Sequence, residues 1–206
     1  MNKLITFEGI DGSGKSTQIR LLCEKFDKLG IQYISVREPG GTTISEKIRD
    51  ILLDKKNLEL SNTSESLLFL SARSQLVSEK IIPALQSNKF VICDRYTDST
   101  IAYQGYGRNL NVEMLTVLNN YATQNLHPEL TFVLDVDIET SIYRRKVTDD
   151  DRMESSGIQF MKDIRDGYHQ MAGKDPKRIK VLDGNMDPFK IFQKIWFELE
   201  LKFKEI

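Results

Sequence analysis

Leu4-Ile5-Thr6-Phe7-Glu8-Gly9-Ile10-Asp11-Gly12-Ser13-Gly14-Lys15-Ser16-Thr17 is the stretch that decides the fold class. A hydrophobic run, Leu4–Glu8, reads as a strand and passes directly into Gly-x-x-x-x-Gly-Lys-Ser, which opens an amphipathic helix. Glycines let successive backbone N–H groups turn inward, and the helix N-terminus adds partial positive charge. Such a loop is a phosphate cradle, so Gly9, Ile10, Asp11, Gly12, Ser13, Gly14, Lys15, Ser16 and Thr17 are candidate triphosphate-binding positions. Lys15 would reach the β- and γ-phosphates, and the Ser16 hydroxyl would hold Mg²⁺. The motif points to a nucleoside triphosphate and leaves the reaction open.

Outward from this loop, short β-type runs alternate with helix-length amphipathic stretches. Ser16–Leu29 carries Ile19, Leu22, Cys23 and Phe26 at helical spacing, and Gly30 ends it. Further strands are expected at Ile31–Arg37, Phe90–Asp94, Leu130–Asp137 and Arg178–Leu182. Further helices are expected at Thr43–Leu53, Thr63–Ser87, Asn111–Gln124, Ile138–Lys146, Ile158–Gly173 and Pro188–Phe203. Pro83 should bend or interrupt the long Thr63–Ser87 helix, because proline lacks a backbone donor. Strands separated by helices predict an α/β chain. The expected form is a three-layer αβα P-loop NTPase with a five-stranded parallel sheet, helices on both faces and a short lid. Ligands of such a sheet bind beyond the carboxyl ends of its strands.

At ~150 residues per domain, 206 residues predict one domain spanning 1–206. The composition, 40% hydrophobic and 29% charged, is that of a soluble globular chain. A formal net charge of −1 argues against coating nucleic acid or an anionic membrane, yet leaves room for a local phosphate site. Cys23 and Cys93 form neither a disulfide framework nor a zinc spacing, and read as buried thiols. The N-terminal residues are too soon charged for a signal peptide, and no run approaches the ~18 apolar residues of a membrane span. The expected setting is cytoplasmic, without membrane or nucleic-acid partner.

Among phosphate-cradle classes, a GTPase should carry Asn-Lys-x-Asp, and none occurs. The Asp-x-x-Gly outside the loop, Asp27–Gly30, falls at a helix end rather than after a strand. A small chain with a basic segment in its C-terminal third suggests a nucleoside monophosphate kinase or a related small-molecule kinase.

Four further segments, in order, resemble one family, the thymidylate kinases. They are Arg37-Glu38-Pro39-Gly40-Gly41, Glu65–Arg73, Asp94–Gly105 and His127-Pro128-Glu129-Leu130-Thr131 leading into Phe132–Val136. With the phosphate loop they extend to about residue 137, and the remainder resembles the family in layout more than in letters. The resemblance implies ATP as donor, dTMP as acceptor, Mg²⁺ as cofactor and a homodimer.

The same resemblance implies roles for individual residues. Asp11 would contact the acceptor's sugar, and Arg49 its phosphate, which suits a forked guanidinium. Arg37, Glu38 and Pro39 would border the acceptor at the carboxyl edge of the sheet. Phe69 and Arg73, spaced i, i+4 on one helix face, would stack on the thymine and donate to its carbonyl oxygens. Arg95 would lie close to the transferred phosphoryl group, and Asp94 would order the Mg²⁺ shell. Thr100, Tyr103 and Gln104 would surround base and sugar. Thr100 stands where the family pattern suggests serine and keeps the hydroxyl. Tyr103 would crowd the sugar 2′ position, and Gln104 offers both donor and acceptor to an amide-type edge.

The four variable loop positions, Ile10 to Ser13, hold no basic residue. Transition-state charge must then be met elsewhere, and a lid over 143–157, as in the bacterial type, would supply it. Arg144, Arg145 and Arg152 are its candidates: Arg144 on the ATP side, Arg145 and Arg152 in catalysis beside Lys15, Arg95 and Asp94. The resemblance leaves the acidic triplet Asp149–Asp151 unexplained. Val181–Asn185 matches the adenine-side loop in position. On the long helix, Leu67, Leu70, Val77 and Ile81 form a stripe that either packs in the core or pairs two copies. Two alternatives remain: a kinase for another nucleoside monophosphate or small acceptor, and a silent ATP-binding module. An alcohol acceptor would need a general base, with Asp94 as its candidate.

Overall fold

The structure, a computed structural model, describes residues 2–145, 152–153, 157–204 and 206. Five parallel strands form one sheet: β1 (Leu4–Glu8), β2 (Tyr33–Arg37), β3 (Phe90–Asp94), β4 (Leu130–Asp135) and β5 (Ile179–Asp183). Their spatial order is β2-β3-β1-β4-β5. β1 is central, pairing Phe7 with Asp94 on one side and with Phe132 on the other. The loop that follows β1 therefore lies in the middle of the carboxyl edge.

Both faces are covered, because alternate side chains of each strand point to opposite sides. Ile5, Phe7, Phe90, Ile92 and Phe132 pack against Leu22 and Phe26 of α1 (Lys15–Leu29) and Ile191, Ile195 and Leu199 of α9 (Pro188–Lys202). On the opposite face, Leu4, Val91 and Cys93 meet Leu76, Val77 and Ile81. Val133 and Ile179 meet Ile164 and Tyr168 of α8 (Ile158–Lys174). Cys93 is buried and Cys23 is half-buried against the first cluster, and both are free thiols.

Local chemistry sets the helix ends. Thr42 caps α2 (Thr43–Leu53) by accepting from the Ser45 N–H at 3.1 Å, and Ser61 caps α3 (Asn62–Leu76) in the same way at 3.2 Å. Gly30 ends α1 in the left-handed region at φ 70°, its N–H bonded back to the last turn.

The long helix breaks earlier than Pro83 alone suggests. Val77–Ile81 forms a wide π turn, and α4 (Ile82–Gln86) resumes beyond it. Pro83 has no N–H and its ring collides with the carbonyl four residues back, so the strain is relieved in the turn before it. Residues 97–107, outside the helices expected from periodicity, form α5 (Thr97–Thr100) and a second π turn, Ile101–Gly107. Its polar residues give no amphipathic signal, and tertiary contacts fix it instead. Asp98 receives two bonds from Arg178 at 2.7 and 2.9 Å, and Ser99 donates to Glu8. Two shorter helices complete the chain, α6 (Val112–Ala122) and α7 (Ile138–Arg145).

Candidate active site

The loop between β1 and α1 has the backbone a phosphate cradle needs. Gly12 has φ +76°, and a Cβ there would lie 2.7 Å from the Ser141 carbonyl oxygen, so only glycine fits. Lys15 opens α1 and is buried. Its Nζ donates to the carbonyls of Gly9 at 3.0 Å and Ile10 at 3.1 Å, and stands 3.8 Å from Asp11. Burial lowers its pKa and the neighbouring Arg95 adds to that, against Asp11, Asp94 and Glu8. Gly12, Gly14, Lys15, Ser16, Thr17, Arg37, Asp94 and Arg144 border one open cleft. Arg144 enters it from α7, donating to Gly184 at 3.1 Å and Gly12 at 3.3 Å. Gly9, Ile10 and Ser13 form the buried back of the loop.

A second pocket opens beside the first. Pro39, Leu53, Phe69, Arg73, Ser99, Thr100, Tyr103, Gln104 and Met153 line it. Phe69 and Arg73 share a face of α3, as their spacing predicts. Arg73 is fully buried, and its donors all meet protein acceptors. Nε donates to Glu38 at 2.7 Å and Nη2 forms an ion pair with the same carboxylate at 2.6 Å, while Nη1 donates to Thr100 and Asn119 at 2.6 Å each, and Nη2 to the Tyr96 carbonyl at 2.9 Å. Arg73 thus braces Glu38 and Thr100 here, rather than offering a free fork to a base.

Four residues border both clefts: Asp11, Glu38, Arg49 and Arg95. Arg95 donates to Asp11 at 2.6 Å and to Ser99 at 3.2 Å, and its guanidinium lies over the Tyr103 ring at 4.9 Å. Its φ of +69° is strained for a side chain of this size. Two bonds hold that turn: Arg95 N–H to the Phe7 carbonyl at 2.9 Å, and Tyr96 N–H to Glu8 at 2.7 Å. Although burial opposes it, Arg95 and Lys15 pull the Asp11 carboxyl down to about 2. Arg49 donates to the Pro39 carbonyl at 2.9 Å. Arg37 lies on the rim of the triphosphate cleft, half-exposed and paired with Glu46 at 3.1 Å, and does not line the second pocket.

Asp94 and Ser16 both line the triphosphate cleft. The Asp94 Oδ1 is buried without a hydrogen-bond partner. One carboxylate and one hydroxyl beside a phosphate cradle suit Mg²⁺, which keeps most of its waters and takes few protein ligands. No cluster of three or more His, Cys, Asp or Glu able to cage a metal occurs among the described residues.

Of the lid span, Tyr143–Arg145, Arg152, Met153 and Gly157 are described, and Asp149–Asp151 lie outside the described residues. The three arginines separate. Arg145 is buried below the loop, beside Ile10 and Asp11, with Nη2 near the Met161 sulfur at 3.4 Å. Arg152 reaches the acceptor side, 2.8 Å from Glu65 and bonded to the Leu52 carbonyl at 2.8 Å. Of these three, Arg144 is the one that borders the triphosphate cleft.

Periodicity and motif spacing gave no role to Glu8, Ser99, Glu65, Arg108 or Tyr168. Glu8 ends β1 fully buried, accepting from Tyr96 N–H, from Ser99 at 2.6 Å and from Tyr168 at 2.8 Å. Burial and Asp98 push its pKa up to about 7. A carboxylate closing an apolar strand was the available signal for Glu8. Tyr168, 160 residues away, had none.

The sequence model of the thymidylate kinase family matches residues 7–195. The chain belongs to the thymidylate kinase family. It is 44% identical over 203 residues to a thymidylate kinase of Kosmotoga olearia, covering 98% of this chain and 97% of the relative. It is 46% identical to that of Symbiobacterium thermophilum over 185 residues, covering 90% and 86%. The solved structure of thymidylate kinase from Ehrlichia chaffeensis matches with a TM-score of 0.78 and 36% identity, covering 96% of this chain and 97% of that one. The five-stranded parallel sheet expected from the sequence agrees with this fold. No helix among the described residues is long and apolar enough to cross a membrane.

Proposed function

We propose that the protein transfers the γ-phosphoryl group of ATP to dTMP, yielding dTDP and ADP. Family membership supports this reading, and one observation carries it: a triphosphate cleft and a base-sized pocket share the wall Asp11, Glu38, Arg49 and Arg95. The acceptor phosphate would sit between the clefts, where Arg49 and Arg95 converge. One of its oxygens forms the new P–O bond as the β–γ bridging bond of ATP breaks and ADP leaves. A phosphomonoester with a second pKa near ~6 is largely dianionic at neutral pH, so no general base is required. Neither His127 nor His169 borders the two clefts. Catalysis is then alignment and charge neutralisation.

In this reading Lys15 leaves the loop carbonyls for the β- and γ-phosphates, and Arg95 meets the charge that develops between donor and acceptor. Arg144 serves the ATP side, with Gly184 of the adenine-side loop as its neighbour. Arg145 and Arg152 act in catalysis when the lid closes over ATP. Ser16 and Asp94 would hold Mg²⁺, which would supply charge neutralisation at the phosphate oxygens. Asp11 contacts the acceptor sugar, Phe69 stacks on the base, and Tyr103 crowds the sugar 2′ position.

The reading includes one catalytic domain over 1–206, a cytoplasmic setting and a homodimer. The expected stripe on the long helix divides: Leu70, Val77 and Ile81 are core, and Leu67 is exposed. Leu67 with Met114, Val117 and Tyr121 of the neighbouring α6 gives the exposed apolar side chains a dimer would cover. Sedimentation at micromolar concentration would show a mass of two chains; a single-chain mass removes this element. Turnover of each nucleoside monophosphate with Mg·ATP tests the main reading. dTMP should give the highest kcat/KM and dTDP the product, and a better acceptor of another class sinks it.

A further inference from the structure

Gln104 lines the base pocket, and its amide could turn either way. Glu65 decides the direction. The Gln104 Nε2 donates to Glu65 Oε1 at 2.9 Å, in a setting where Glu65 is fully buried and Gln104 nearly so. Arg108 pairs with the same carboxylate through Nη2 at 3.2 Å and Nε at 3.3 Å, and Arg152 through Nη2 at 2.8 Å. Two guanidinium groups on one carboxylate leave it an acceptor toward Gln104. The amide nitrogen is thereby anchored, which leaves the carbonyl oxygen as the remaining polar atom of a side chain that lines the pocket.

We propose that Glu65 is a positioning residue that sets base selectivity through Gln104. A carbonyl presented to a stacked pyrimidine favours a ring N–H, the imide N3–H of a 2,4-dioxopyrimidine. A cytosine-type base places a bare acceptor nitrogen at that point, and two acceptors face each other with a buried polar group unpaired. Arg152 brings a residue of the lid span onto the same carboxylate. The inference rests on the dTMP reading above and adds the residue that imposes the choice.

The test compares dTMP with 5-methyl-dCMP, which differs only at the 3,4-edge, and with 3-methyl-dTMP, which lacks the N3 proton. The unmodified protein should prefer dTMP over both. Glu65→Gln lets the two amides pair in either sense, and should narrow the dTMP to 5-methyl-dCMP ratio of kcat/KM about tenfold or more, chiefly through KM. Gln104→Leu should narrow it too, and adding Glu65→Gln should then change the ratio no further. An unchanged ratio in Glu65→Gln, or additive effects in the double variant, overturns the proposal. So does equal use of 3-methyl-dTMP by the unmodified protein, a result that needs no variant to fold. An unmodified protein inactive on dTMP overturns the function reading and this inference together. Normal dTMP turnover with an unchanged ratio overturns this inference alone.

Discussion

The Arg95 guanidinium donates to the Asp11 carboxylate at 2.6 Å and joins the loop after β3 to the phosphate loop after β1. This contact closes the wall shared by the two clefts. It also holds a cation at the junction before any substrate arrives. Because Asp11 is pulled down to about 2, the pair stays ionised over the whole neutral range.

Arg95→Ala should lower kcat about 10²-fold or more while dTMP still binds, since a preorganised donor at the transferring group is removed. Arg95→Lys should recover little of that. A single ammonium cannot serve Asp11 and Ser99 at once with a fork's geometry. Steady-state kinetics on both variants decides it; near-normal kcat in Arg95→Ala removes Arg95 from the chemistry.

Lys15→Ala should abolish measurable turnover and leave the fold. Lys15 is bonded to Gly9 and Ile10 carbonyls of its own loop, so its loss opens no hydrophobic core. Thermal melting should shift little while product formation disappears. A folded variant at near-normal rate excludes the phosphate-loop assignment.

Glu8 predicts a pH-dependent stability. Its carboxyl, 4.5 in the unfolded chain, rises to about 7 in the folded protein. Between these values the folded state binds the proton that the unfolded state has released. The contribution is thus complete below about pH 4.5 and is lost as pH rises to 7, by roughly 3 kcal/mol. Asp11 acts with the opposite sign, and only below about pH 4. Glu8→Gln should flatten the slope between pH 5 and 7 in denaturant titrations. An equal slope in the variant assigns the effect to another group.

Arg73→Ala should destabilise the protein by about 3–5 kcal/mol, because it strands the buried Glu38 carboxylate. Glu38 already has one buried oxygen without a partner, and burial pushes its pKa up. Chemical denaturation measures the loss. A change under about 1 kcal/mol would mean that water reaches Glu38 and replaces the pair.

Much of the site was legible because its signals are local. The glycines and lysine of the phosphate loop are set by backbone conformation and short-range charge. Phe69 and Arg73 share a face by helical spacing alone, and Asp94 ends an apolar strand. Residues 97–107 were not legible as helix. Their conformation depends on Arg178, Glu8 and Arg73, each distant in sequence. Arg37 and Arg152 show the same limit: residue type suggested phosphate, and packing gave them Glu46 and Glu65.

The sequence by itself determined the alternation of strands and helices, and the phosphate loop at the carboxyl edge of the central strand. Periodicity and glycine conformation are properties of neighbouring residues, so a linear reading captures them. Only the tertiary structure decided which buried polar groups meet. Glu8 with Tyr168, Glu38 with Arg73 and Glu65 with Gln104 come from elements that touch after the sheet is covered. Most buried donors and acceptors need a partner, and which partner each of these carboxylates meets is set by packing.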